Sequence, residues 1–349
     1  MWNRPGARNE IVTPLQSPFT QTVVSLDQKT RTRAEGLSQG VYVRLALSAC
    51  APFSLRAIVA SHGWARLSPF FLEPQTAALG RIERLGTGRV VELLVREARD
   101  GVTVETPDRL DGFEREEVAR KVWWMLRLGE DLTPFYEAIR DEPRLAHLER
   151  EGLGRILRSP TLFEDVVKVL LTTNTTWDRT VRMVEALVAR YGDPLPSDPS
   201  RHAFPTPAQL AAAREEDLRA IGIGYRAPHL LDLARRVAGG ELDLEQLKDG
   251  NVPAPRARRL LRDLPGVGEY ATALLMVLLG RYEAIPVDAV ARRRVAEEWY
   301  GGQPVGREEV ERAFERWGRW KGLVYWWWPW PRDEGSEEQE TIGEPRSNL

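Results

Sequence analysis

The chain has a single cysteine, Cys50, in 349 residues. One thiol forms no internal disulfide, and it excludes a four-cysteine iron–sulfur cluster and a thiolate zinc site. Within the apolar run RLALSACAPF, Cys50 reads as a small hydrophobe of the core. There is no run of about 18 apolar residues, so no membrane span is expected. The opening MWNRPGARNE lacks the apolar stretch of a secretory signal, and the expected compartment is the cytoplasm.

Charge of one sign is also scarce. The net charge is −2, but the stretch from Arg332 to Leu349 carries six acids and two arginines, a net of −4. The remainder is therefore weakly basic at +2, and any affinity for a polyanion must come from local patches and backbone amides. What is present in quantity is ordinary: 42% hydrophobic and 29% charged residues, as in a globular protein long enough for two cores.

The texture changes along the chain. Residues 1–20 are polar and read as a flexible arm. From 21 to 110 the text is strand-like, with QTVVSL, VYVRLAL, RVVELLVRE, and VTVET after an Asp100–Gly101 turn; a helix is possible between them. Beyond Pro107 helical spacing takes over, as in EREEVARKVWWMLRL, where Val118, Val122, Trp123 and Leu126 recur. SPTLFEDVVKVLLTT begins with Ser159 and Pro160 where a cap and a first-turn proline belong. Further helices are predicted at about 178–191, 226–238, 254–263, 269–280, 289–300 and 306–328. In the last of these Trp317, Trp320, Val324 and Trp327 fall on one face and read as core. No repeat of fixed period interrupts this order. The predicted class is α+β: a β-rich N-terminal domain (21–110), a helical domain (111–330) and an acidic disordered tail (331–349).

A single turn stands out within the helical domain. In ARRLLRDLPGVGEYATALLMVLLG, two helical segments are joined by PGVG alone, so they must form a hairpin. Gly266 and Gly268 permit close approach, and the first amides of the second helix have no intrahelical partner. Such an end suits an anion, and a phosphodiester is the obvious one. Taken alone, the turn is equally a hairpin that merely joins two packed helices. Asp288 follows Tyr270 by 18 residues in EAIPVDAVARRRVAEEWYG. It sits where a helix begins, and an N-cap role alone accounts for an aspartate there.

The whole constellation, LPGVG, Tyr270 and the PVD aspartate, resembles the helix–hairpin–helix DNA glycosylase superfamily. SPTLFEDVVKVLLTTNTTWDRTVRMVEALVARYG looks like that family's helix–turn–helix segment. FPTPAQLAA with GIGYRAPHLLDLAR resembles its 8-oxoguanine and alkyladenine branches. The resemblance covers most of residues 21–330, and those branches carry a small β-rich N-terminal domain. It implies that Gly266 and Gly268 bind a backbone phosphate of double-stranded DNA, that Asn174 fills the space left by the flipped nucleotide, and that Arg226 approaches the orphaned base. By the same resemblance Asp288 is the catalytic carboxylate and Tyr270 lies against the extrahelical base.

The chemistry is consistent with those residue types. A base inside a duplex is unreachable, so the nucleotide must be flipped at a cost of a few kcal/mol. Breaking the N-glycosidic bond develops positive charge on the sugar, which a fixed carboxylate stabilises while it orients water. Bifunctional relatives place a lysine where this chain has Tyr270, and a phenol forms no Schiff base. The expected activity is therefore monofunctional excision of alkylated purines by a monomer, without metal, cofactor or iron–sulfur cluster. A site in a bacterial cell would be the nucleoid. The alternatives are an 8-oxoguanine-type glycosylase and a DNA-binding module without catalysis.

Overall fold

The computed structural model describes residues 23–27, 43–73, 76 and 78–331, so the predicted arm and all of the acidic tail beyond 331 lie outside the described residues. The strands are β1 (Val23–Asp27), β2 (Val43–Ser48), β3 (Phe70–Glu73), β4 (Ala78–Arg84), β5 (Val90–Ala98) and β6 (Gly101–Thr106). They form one antiparallel sheet in the order β1-β2-β6-β5-β4-β3. Strict alternation explains its one-sided core: Val43, Leu45 and Leu47 of β2 are buried while their neighbours are half-exposed. Strands β3 and β4 escape sequence reading because β4 (ALGRIER) is buried on both faces and carries charged residues there. Arg81 and Glu83 are inside, and they are inside only because they pair.

A short helix α1 (Leu55–Val59) interrupts the strands, and the helical domain opens with α2 (Gly112–Met125), capped reciprocally by Asp111 and Glu114. Then follow α3 (Thr133–Ile139), α4 (His147–Arg150), α5 (Leu162–Thr172) and α6 (Trp177–Tyr191). A small hairpin of β7 (Pro194–Leu195) and β8 (Asp198–His202) leads to α7 (Pro207–Ala211), α8 (Glu215–Ala220) and α9 (Ala227–Ala238). The chain ends its described course with α10 (Ala254–Arg262), α11 (Glu269–Leu278), α12 (Ala289–Trp299), α13 (Arg307–Ala313) and α14 (Lys321–Trp327). The main hydrophobic core runs through sheet and helices, from Val43 to Trp330, and a small second one joins Ile82, Val90, Leu195 and Ala203.

The joint between sheet and helices is ionic. Arg81 of β4 makes a bidentate pair with Glu164 of α5 at 3.0 and 2.7 Å, and Lys168 meets the same carboxylate at 2.7 Å. All three side chains are buried. Burial alone would raise the Glu164 carboxyl, but the two cations outweigh it and hold it at about 2.

Three sequence expectations are corrected. Cys50 is exposed rather than in the core. It follows the end of β2, and its backbone, not its thiol, faces inward: its amide donates to Leu128 O and its carbonyl accepts from Arg155. Ser159 does not cap α5; Thr161 does, accepting from Glu164 N at 3.3 Å. Asp165 instead draws the Ser159 amide inward at 2.9 Å. The predicted helix 306–328 is broken, because Gly318 adopts φ 51° between α13 and α14. Trp317, Trp320, Val324 and Trp327 are nonetheless all buried.

Candidate functional site

The hairpin forms as its sequence demands. Helix α10 ends at Asp263, Val267 N returns to Leu264 O at 3.1 Å, and α11 begins after Gly268. Gly266 has φ 74°, and a Cβ there would press on the His229 side chain of α9 at 3.0 Å. Gly268 is different: nothing lies within 4 Å of where its Cβ would be, and no side chain caps α11. The amide end of α11 is thus open to an incoming anion.

At the second residue of α11 the surroundings close. Tyr270 is half-buried, with its hydroxyl near Thr172 at the end of α5. Burial, and then the charge of Asp288, raise the Tyr270 phenol far above its ordinary value. Asp288 is half-buried at the N-cap of α12, with Oδ1 accepting from Ala291 N at 2.7 Å. Tyr325 of α14 completes the group: burial, then Asp288, hold its phenol protonated too. One carboxylate and two neutral phenols thereby share one electrostatic environment. The carboxylate can stabilise a cation, and the rings offer π-faces.

Distant residues fix this geometry. Gly322, at the start of α14, donates from its amide to Tyr282 O at 2.7 Å, and a Cβ there would strike Ala284 O at 2.2 Å. That contact docks α14 on the loop leading to Asp288 and so delivers Tyr325. The C-terminal carbonyls of α11 are satisfied by buried arginines, Arg127 on Val277 O at 2.8 Å and Arg158 on Leu278 O at 3.0 Å. Without them a buried helix end would lack donors.

Asn174 and Arg226 come together, though not as two protruding side chains. Asn174 is exposed at the α5–α6 turn with φ 47°. Arg226 is only 4% exposed, and its guanidinium donates to Thr173 O, to Thr173 Oγ1 at 3.3 Å and to Asn174 O at 3.4 Å. The residue that does protrude is Tyr225, 52% exposed, whose ring lies 4.5 Å from the Arg226 guanidinium. Its hydroxyl accepts from Asn174 Nδ2 at 3.3 Å. Sequence reasoning passed over Tyr225, although GIGYR carries the signal: Gly222 and Gly224, both at positive φ, turn the chain sharply just before Tyr225.

The chain is similar to known proteins over part of its length. Residues 167–319 match the HhH-GPD family, described as a superfamily of base excision DNA repair proteins. A probable N-glycosylase/DNA lyase of Methanothermobacter thermautotrophicus is 27% identical over 225 residues, 58% of this chain and 71% of that protein. A DNA-3-methyladenine glycosylase of Bacillus subtilis is 27% identical over 220 residues, 61% and 70% of the two chains. The fold is shared with the 3-methyladenine DNA glycosylase of Archaeoglobus fulgidus, with a TM-score of 0.65 at 22% identity, covering 81% of this chain and 96% of that one.

Proposed function

We propose that the chain, whose residues 167–319 match the HhH-GPD base excision repair family, is a DNA glycosylase that removes alkylated purines by hydrolysis and leaves the strand uncut. The observation that carries this reading is the phenol of Tyr270 beside Asp288, where a nucleophilic amine would otherwise act. The sequence has five lysines, at 29, 121, 168, 248 and 321. Lys29 lies outside the described residues, and each of the others is engaged elsewhere: with Glu83 and Glu117, Glu164, Glu245, and Glu311 and Glu315. The site thus sets a carboxylate beside aromatic rings, which suit a positively charged base and a water nucleophile.

In this mechanism a DNA phosphate rests on the α11 amides beyond Gly266 and Gly268. Tyr225 and Asn174 enter the space left by the flipped nucleotide, and Arg226 holds their turn in place. The base lodges against Tyr270 and Tyr325. As the glycosidic bond lengthens, the Asp288 carboxylate stabilises the oxocarbenium ion and orients water toward C1′. The 8-oxoguanine-type alternative rests on the TTNTT turn and the GIGYRA segment and uses the same residues.

The test is excision from duplexes containing 3-methyladenine, hypoxanthine or 8-oxoguanine, analysed with and without alkali. The proposal expects alkali-dependent breaks, highest with the alkylated base, and no borohydride-trapped adduct. Nicking without alkali together with trapping overturns it.

A further inference from the structure

A cluster of arginines beside the hairpin has no role in the mechanism above. Glu269, the first residue of α11, is gripped by three guanidiniums from two other helices. Arg258 Nη2 lies 2.6 Å from Oε2, Arg307 Nη1 lies 3.1 Å from the same oxygen, and Arg262 Nη1 pairs with Oε1. Arg307 is held a second time, by Glu311 at 3.0 Å. Arg258 and Arg262 stand one turn apart on α10, and their side chains are 36% and 61% exposed. Two solvent-facing cations are therefore held on a carboxylate they share with a third, immediately after the open Gly268.

We propose that Glu269 occupies, in the free protein, the place of a second DNA backbone phosphate, and that Arg258 and Arg262 transfer to that phosphate when duplex is bound. The proposal rests on the DNA-binding reading given above. Exchange is energetically easy, because exposed ion pairs contribute about 0–1 kcal/mol. A phosphodiester offers the same two-oxygen geometry to a guanidinium as a carboxylate does. Arg307, tied to Glu311, stays behind to keep Glu269 from being left without a partner. The carboxylate thus pre-orders both arginines while opposing loose association with any polyanion. This contribution lies in side-chain charge, apart from the α11 amides, so it has its own salt dependence.

The experiment measures the dissociation constant of the full chain for an undamaged fluorescent duplex across a series of KCl concentrations. Wild type, Arg258→Gln, Arg262→Gln, Glu269→Gln and the control Arg214→Gln, which alters an exposed pair with Glu216, are compared. Removing one arginine–phosphate pairing should reduce the slope of log K against log[salt] by about 0.9. Arg258→Gln and Arg262→Gln are expected to do so, Arg214→Gln to leave the slope unchanged, and Glu269→Gln to tighten binding. Unchanged slopes in both arginine variants, or weakening by Glu269→Gln, overturn the exchange while leaving the DNA reading intact. Absence of duplex binding by the wild type overturns the DNA reading itself.

Discussion

Asp288 Oδ1 accepts a hydrogen bond from Ala291 N at 2.7 Å, so the carboxylate proposed to act on the sugar also caps its own helix. Structure and chemistry can be separated by two substitutions. Asn caps a helix about as well as Asp, so Asp288→Asn should retain thermal stability while losing charge. Its single-turnover excision rate is expected to fall on the order of 100-fold or more. Asp288→Ala should lose the same activity and also about 1 kcal/mol of stability. Full activity in the asparagine variant would remove Asp288 from the mechanism.

In the proposed mechanism Tyr270 discriminates by its π-face rather than by its hydroxyl. Tyr270→Phe removes the hydroxyl beside Thr172 and keeps the ring, and should keep base preference. Tyr270→Ala removes the ring, and excision of a cationic base should fall more than that of neutral hypoxanthine, by about two- to thirtyfold. The ratio of the two single-turnover rates measures this. A ratio that does not move places the base elsewhere.

Arg226 acts through the turn it holds. Its guanidinium donates to the carbonyls of Thr173 and Asn174, while Asn174 itself is kept at φ 47°, a region that disfavours side chains. Arg226→Ala should release the turn and weaken affinity for an abasic-site duplex about tenfold, since bonds from a charged donor contribute about 1.5–3 kcal/mol. Affinity for intact duplex should change less, because no nucleotide need be replaced there. Equal losses on both duplexes would assign Arg226 to general electrostatics.

The features of this site that were legible in sequence are those fixed locally. PGVG can only be a tight turn, and Asp288 announces a helix start, whatever surrounds them. Tyr325 was hidden because its position depends on Gly322 seating against Ala284, a contact across the fold, and on the break at Gly318. The same holds for Arg127 and Arg158, which close α11 from more than 100 residues away. Cys50 was misplaced because an apolar run says nothing of where its strand ends. Alternation and helical spacing report burial of whole faces; they are silent on buried charge, as Arg81 and Lys168 illustrate.

That buried charge gives a stability prediction. Glu164 neutralises Arg81 and Lys168 at the joint between β4 and α5. Glu164→Gln leaves both cations facing each other without their shared counterion, and a broken buried pair costs about 3–5 kcal/mol. The expected readout is a lowered midpoint of chemical denaturation with an unchanged slope. A shift below about 1 kcal/mol would mean that the network contributes no more than an exposed pair.

His62 gives the pH dependence. It is buried against Trp64, with ring centroids 4.5 Å apart, and Trp326; its Nδ1 accepts from Trp64 N, and its Nε2 has no partner among the described residues. Burial first, then the charges of Lys168 and Arg127, lower its pKa from 6.5 to about 3. The folded protein therefore refuses a proton that the unfolded chain accepts below pH 6.5, and stability must fall on acidification through the window from 6.5 to 3. The slope from this one group approaches about 1.4 kcal/mol per pH unit. Carboxyls held low, such as Glu164, contribute chiefly below pH 4.5, whereas burial raises Asp165, so over the interval from about 6.5 to about 5 the histidine is isolated by comparison with a variant that cannot titrate. His62→Asn keeps an acceptor for Trp64 N and cannot titrate, and its denaturation midpoint should be flatter than wild type across that interval. Parallel profiles for the two proteins would show that His62 takes up its proton in the folded state.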